Sequence, residues 1–248
     1  HPVAHSFPTR RSSDLLRDDL KLRQTMEKLA YEAHQGQADR SRAADLRRRD
    51  LLAILEEAAY LGDIGLAAEF LDYVDQRAGL LVGRGGAEDE AAPRIYTFPH
   101  RTFQEYLAGC YMVGGRGAHR TYWTHAAEGD AWYLAAQLGA EELLYNRASE
   151  KDTLDLAYAL SPLQEPGSET AWRATLWSGW MAGLLGQDRL KRDVDGPEPG
   201  TVYLERLKPR LVRILREEPL RAVERAEAGK ALAKLDDPRP GVGLRADG

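Results

Sequence analysis

The 248-residue chain is poor in sulfur, with one cysteine, Cys110, and three methionines. A single cysteine excludes an internal disulfide, so a chain of this length must be held by apolar cores. It also fits a reducing compartment, and the chain reads as cytoplasmic. No apolar run approaches the roughly 18 residues that mark a membrane span, and the N-terminus lacks the unbroken apolar stretch of a secretory signal. No membrane partner is therefore expected. Basic charge is not in excess either: 34 lysines and arginines face 39 acidic residues, for a formal net charge of −5. That balance argues against a face that grips nucleic acid. No G-x-x-x-x-G-K-[S/T] loop occurs, and Gly229-Lys230 sits in a helical pattern without surrounding glycines. No catalytic residue is assigned, and the chain alone is not expected to bind or hydrolyse ATP. The six histidines show no H-x-x-x-H or Cys/His spacing, which leaves no metal site.

The two ends carry no folding signal. Residues 5 to 15, HSFPTRRSSDL, have no apolar periodicity and resemble the conceptual translation of a common short-read sequencing adapter over eleven consecutive positions. Residues 1 to 15 are accordingly read as an artefact and set apart from the fold. The last residues, Leu244 to Gly248, stop equally abruptly.

Helical periodicity begins at Leu22 and runs through Met26, Leu29, Ala30 and Ala33 to a stop at Gly36. Asp45 is placed to cap a second helix with Leu51, Leu52, Ile54, Leu55 and Ala58, ending near Gly62. Asp63 opens a third, with Leu66, Phe70, Leu71 and Val74 on its buried face and Gly79 at its end. The period then changes. Leu80-Leu81-Val82 and Ile95-Tyr96-Thr97-Phe98 are short β-type runs, and the glycines Gly83, Gly85 and Gly86 between them form a flexible loop. Three helices and a two-stranded wing describe a winged-helix domain. From Arg101 the spacing of Phe103, Tyr106, Leu107 and Cys110 is helical again, with all four expected in the core. After the Gly114-Gly115-Arg116-Gly117 loop, helices are predicted over residues 132–146, 151–160, 170–190, 202–217 and 219–235, a series resembling helical-repeat architecture. Trp172, Trp177 and Trp180 are assigned to packing.

Residues 95 to 113, IYTFPHRTFQEYLAGCYMV, carry the most specific signal. Phe98, His100, Phe103, Gln104, Glu105, Tyr106 and Ala108 stand in register with F-x-H-x-x-F-Q-E-Y-x-A-A, which closes the winged-helix domain of NACHT-type (STAND) signalling ATPases; Gly109 replaces the second small residue. Leu29-Ala30-Tyr31-Glu32 and Gly79-Leu80-Leu81-Val82 also resemble that family, so the resemblance covers about residues 16 to 115. It implies a bacterial switch protein in which ADP, or ATP with Mg, is clamped between an ATPase core and this domain. His100 would contact the β-phosphate. Its place at a strand-to-helix junction suits that role, because free backbone N–H groups there favour an anion and a neutral imidazole can still donate. The competing reading is a histidine that merely caps the helix. Glu105, one turn after Arg101, is expected to form a surface pair, and Gln104 to bind backbone.

Toward the C-terminus, Arg221 to Gly243 resembles a HEAT-like helix followed by the Asp237-Pro238-Arg239-Pro240-Gly241-Val242 linker. In bacterial NACHT proteins such a linker precedes a formylglycine-generating-enzyme-like domain, the sulfatase-modifying-factor fold. The expected architecture is mainly α: residues 1–15 an artefact, 16–114 the winged-helix part, 115–237 a HEAT-like region and 238–248 a linker. The expected function is regulatory, coupling an unknown protein or ligand trigger on the helices to nucleotide exchange in a missing upstream NTPase core. Two alternatives remain open: the helical linker of a formylglycine-generating-enzyme-like protein, and a winged-helix nucleic-acid binder using Arg47-Arg48-Arg49.

Overall fold

The computed structural model describes residues 19–37, 43–57, 61–75, 79–85, 94–217 and 219–240. The adapter-like segment and residues 241–248 of the linker lie outside them. The chain is mainly helical with one small sheet, and it divides into two compact units between Tyr111 and Met112.

The first unit opens with α1 (Asp19–Gln35). Met26, Leu29, Ala30 and Ala33 form its buried stripe, while Arg23–Glu27 and Lys28–Glu32 pair along the flank. Gly36 ends it, donating its N–H to the Glu32 carbonyl at 3.0 Å. Strand β1 (Leu46–Arg47) leads directly into α2 (Arg48–Glu56), and α3 (Ile64–Tyr73) follows. Asp63 caps α3 as expected, its Oδ1 accepting the Leu66 N–H at 2.9 Å. Strands β2 (Val82–Arg84) and β3 (Ile95–Thr97) complete an antiparallel sheet of order β1-β3-β2, with Leu46 opposite Tyr96 and Gly83 opposite Tyr96 on the other side.

Two expectations are corrected here. The sheet has three strands rather than two, and Asp45 does not cap α2. The causes are linked: residues 46 and 47 stay extended to pair with β3, which delays the helix to Arg48. The Arg48 N–H is then satisfied by the Arg94 carbonyl at 3.2 Å, and no side chain is needed as a cap. Gly83 leaves room for the Asp75 carboxylate. Its N–H donates to Asp75 Oδ1 at 2.8 Å, and a Cβ there would stand 2.5 Å from the other oxygen of that carboxylate. Asp75 also binds Arg94, holding that guanidinium even more firmly in its charged form.

Helix α4 (Arg101–Gly114) runs from the first unit across the boundary. The second unit continues with α5 (Ala118–Ala126), a 3-10 turn (Gly129–Trp132), α6 (Tyr133–Glu141) and one π-helical turn (Glu142–Asn146). Then come α7 (Glu150–Leu160), α8 (Glu169–Leu185), α9 (Gln187–Arg192), α10 (Gly200–Glu217) and α11 (Ala222–Lys234). Helix α8 is the axle: it contacts α5, α6, α7, α9, α10 and α11, and it is buried on nearly every side. Trp172, Trp177 and Trp180 are all within its core, at 7%, 2% and 7% exposure.

Glycines permit the tightest approaches in this unit. A Cβ on Gly179 would lie 2.6 Å from a Leu211 methyl of α10, and one on Gly200 would lie 1.8 Å from the Leu190 carbonyl oxygen. Three helix assignments also change. The helix expected over 170–190 breaks at Gly186, whose φ of +83° ends α8 and starts α9. Helix α5 arises where only a loop and its sequel were read, and the 132–146 helix resolves into three successive turn types.

Buried charge ties these helices together. Arg173, 2% exposed, donates to Glu224 at the start of α11 at 2.5 Å and to the Ala126 carbonyl at the end of α5 at 2.6 Å. Arg210 of α10, also 2% exposed, donates to the carbonyls of Pro162, Leu163 and Gln164 at 2.5, 3.0 and 2.9 Å, closing the end of α7. No helix among the described residues is long and apolar enough to cross a membrane.

Candidate functional site

The motif of residues 98–108 folds as a corner from β3 into α4, and its members separate into an outward group and an inward one. His100 is the residue just before the helix. Its carbonyl accepts the N–H groups of Phe103 at 3.1 Å and Gln104 at 3.2 Å, while its imidazole is exposed. The N–H groups of Arg101 and Thr102 precede the first helical hydrogen bonds, so the ring stands beside the positive end of α4. Behind it, Phe98 is 2% exposed and meets Phe103 edge to face, with centroids 6.2 Å apart.

Gln104 faces inward and is fully buried. Its Oε1 accepts the Ala44 N–H at 2.8 Å, and its Nε2 donates to Gln37 Oε1 at 3.1 Å. Gln104 thus binds backbone within the first unit, on the segment that leads into β1. Glu105 is corrected: its side chain is 2% exposed, not on the surface, and Arg101 Nη2 reaches it at 2.7 Å. A carboxylate taken out of water needs that partner, so removing Arg101 and leaving Glu105 unpaired should cost about 1–3 kcal/mol rather than the few tenths of a solvated helix pair. Leu107 and Cys110 are core residues as expected, whereas Phe103 and Tyr106 are only half-buried. Cys110 is wholly buried, with its Sγ 3.8 Å from Arg23 Nη2. At the end of this helix face, Tyr31 and Tyr111 stack obliquely at 4.5 Å beneath Lys28.

The basic run does not form a free stripe. Arg48 lies 4.0 Å from Asp72, and Arg49 pairs with Asp50 at 3.2 Å. Of the loop glycines, Gly83 is within β2 and Gly85 follows it, while Gly86 lies outside the described residues. Lys230, in mid-α11, pairs with Glu227 at 2.7 Å. Arg239 binds Asp237 within the linker and holds that carboxyl below the usual carboxylate range. Among the described residues no group of three His, Cys, Asp or Glu side chains could hold a metal ion.

Sequence reading did not find Gln37 and Ala44 as the partners of Gln104, because nothing local links positions 60 or more residues apart. It also passed over the residues of a cleft of about 650 Å3 in the second unit, between the Gly114–Gly117 loop and α7. Comparison with protein families, curated proteins and solved structures gives no match.

Proposed function

We propose that the chain is the regulatory region of a NACHT-type signalling ATPase, in which the first unit holds the nucleotide-bound closed state and the second receives a trigger. The observation that carries this reading is the split within the motif. Gln104 and Glu105 are consumed by internal bonds, yet His100 is exposed at the start of α4 with no buried role. A histidine serving only the fold has little reason to sit outside while its motif neighbours are locked within.

The first unit's order, helix, strand, two helices, two strands, and its β1-β3-β2 sheet support the winged-helix assignment. The serial helices of the second unit support a HEAT-like arm. In the whole protein the exposed imidazole and the first N–H groups of α4 would meet an ADP phosphate. The remaining nucleotide contacts and the Mg site would come from an upstream core in the same chain. Such a clamp responds only if trigger and nucleotide prefer different arrangements of the parts, which makes their coupling reciprocal. Buried Cys110 fits a cytoplasmic setting.

The test is nucleotide release from the protein carrying its ATPase core. His100→Ala should speed ADP release about tenfold, the loss of one charge-assisted hydrogen bond. An unchanged release rate would leave His100 as a capping residue. Weak or absent binding to duplex DNA at low salt is expected, because Arg48 and Arg49 already face carboxylates.

A further inference from the structure

The second unit contains a cleft of about 650 Å3 that no part of the signalling argument uses. Its apolar floor includes Leu143 and Leu156, 5% and 3% exposed. One wall is the Gly114–Gly117 loop and the start of α5, presenting Arg116 and His119; both side chains are exposed. Gly117 starts α5 in the left-handed region at φ +84° and offers no side chain to the first helical N–H groups, so this wall is electropositive. The other side is lined by α7, where Asp152 and Asp155 are three residues apart, and by Arg147 ahead of it, whose guanidinium is engaged by Glu142 at 3.3 Å and by the Val113 carbonyl at 3.4 Å. Asp155 accepts from Lys151 of its own helix at 2.9 Å, and Asp152 from the Ser149 hydroxyl.

The volume lies within the range of small-ligand sites. Its charge pattern narrows the class of ligand. A polyphosphate would meet Asp152 and Asp155, a polyamine would meet Arg116, and a neutral apolar molecule would desolvate all of these charges without return. A ligand with an anion at one end and a cation at the other satisfies both walls. The cleft is also shaped by two departures from regular backbone. The π-helical turn at Glu142–Asn146 and the left-handed Ala148, at φ +49°, re-aim the chain between α6 and α7 around the cleft's edge.

We infer that this cleft binds a zwitterionic small molecule of the amino-acid or short-peptide class, its carboxylate toward Arg116 and His119 and its ammonium toward Asp152 and Asp155. The assignment is independent of the signalling reading, since it concerns binding to this chain alone.

The test uses the full chain and three probes: trialanine, its N-acetylated form and its C-terminal amide, each titrated while backbone amide NMR signals are followed. Trialanine should give saturable shifts confined to residues 113–119 and 143–156. Each singly charged analogue should bind about two- to fivefold more weakly, as expected for losing one solvent-accessible ion pair. Asp155→Asn, at an exposed position, should weaken trialanine about as much and leave the N-acetylated form unaffected. The inference is overturned if trialanine does not saturate by tens of millimolar, if the three probes bind alike, or if Asp155→Asn changes nothing while the amide spectrum shows a folded chain.

Discussion

Replacing Arg173 by methionine keeps the volume of the side chain and removes its charge. The guanidinium is 2% exposed and serves Glu224, Glu169 and the Ala126 carbonyl. Glu169 is 62% exposed and would return to water at little cost. Glu224 is different: 4% exposed, it would keep only the Arg221 N–H at 3.2 Å. An uncompensated buried carboxylate costs about 3–5 kcal/mol, and the orphaned Ala126 carbonyl adds about 1 kcal/mol. The expected loss is therefore about 4–6 kcal/mol, a large share of the stability of an ordinary domain. Urea unfolding followed by tryptophan fluorescence reads it directly, because Trp172, Trp177 and Trp180 lie on the same helix. The double variant Arg173→Met with Glu224→Gln should recover about half of the loss, since no buried charge then remains. A loss below about 1 kcal/mol for the single variant would refute the view that this pair joins α8 to α11.

Four further outcomes follow from the same geometry. Gly200→Ala should prevent folding of the second unit or cost more than about 3 kcal/mol, and Gly179→Ala about 1–3 kcal/mol, because the added methyl meets backbone in one case and a packed leucine in the other. Thermal melting of both variants checks this order. Ala148→Gly should raise stability by about 1 kcal/mol in the same assay, since Ala148 holds φ +49° without the freedom of glycine. Gln104→Leu should cost about 1–3 kcal/mol, by leaving the buried Ala44 N–H without its acceptor, and should speed hydrogen exchange at that amide.

Stability should also fall in alkali. Burial and the neighbouring carboxylates Glu227 and Asp193 push the phenols of Tyr133 and Tyr158 well above their ordinary value of 10.0, and burial does the same for Tyr203. Each native pKa is raised, so the stabilisation is complete below pH 10 and is lost as pH rises toward the native values. The slope approaches about 1.4 kcal/mol per pH unit for each tyrosine. Tyr158→Phe should make the decline shallower in urea titrations above pH 10; an unchanged slope would contradict this origin.

Much of the fold was legible because local rules set it. Asp63 as a cap, Gly36 as a stop and the Trp-bearing core of α8 all follow from spacing and capping chemistry. The failures share one physical cause, that the deciding contact is distant in sequence. Strand β1 is two residues long and exists only because β3 pairs with it, so neither Leu46 nor Arg47 carries a strand signal. Glu105 looks like half of a solvated pair until the packing of α4 buries it. Arg173 and Arg210 carry no local sign of burial, because their partners are dozens of positions away. Helix α5 escaped notice because Thr121, Tyr122, Trp123 and Thr124 are poor helix formers and its stability comes from packing on α7 and α8. At the candidate site, the place of His100 at a strand-to-helix junction was readable from the change of period, whereas its exposure and its separation from the buried Gln104 and Glu105 emerge only in three dimensions.

The most direct measurement of the central proposal is long-read sequencing of the source DNA across both ends of this reading frame. The account predicts that residues 1 to 15 are replaced by other coding sequence and that an in-frame G-x-x-x-x-G-K-[S/T] nucleotide-binding core lies upstream of the first unit. A continuous frame that retains those residues and carries no such core would contradict it, and the chain would then stand as a helical interaction module in which His100 only starts a helix.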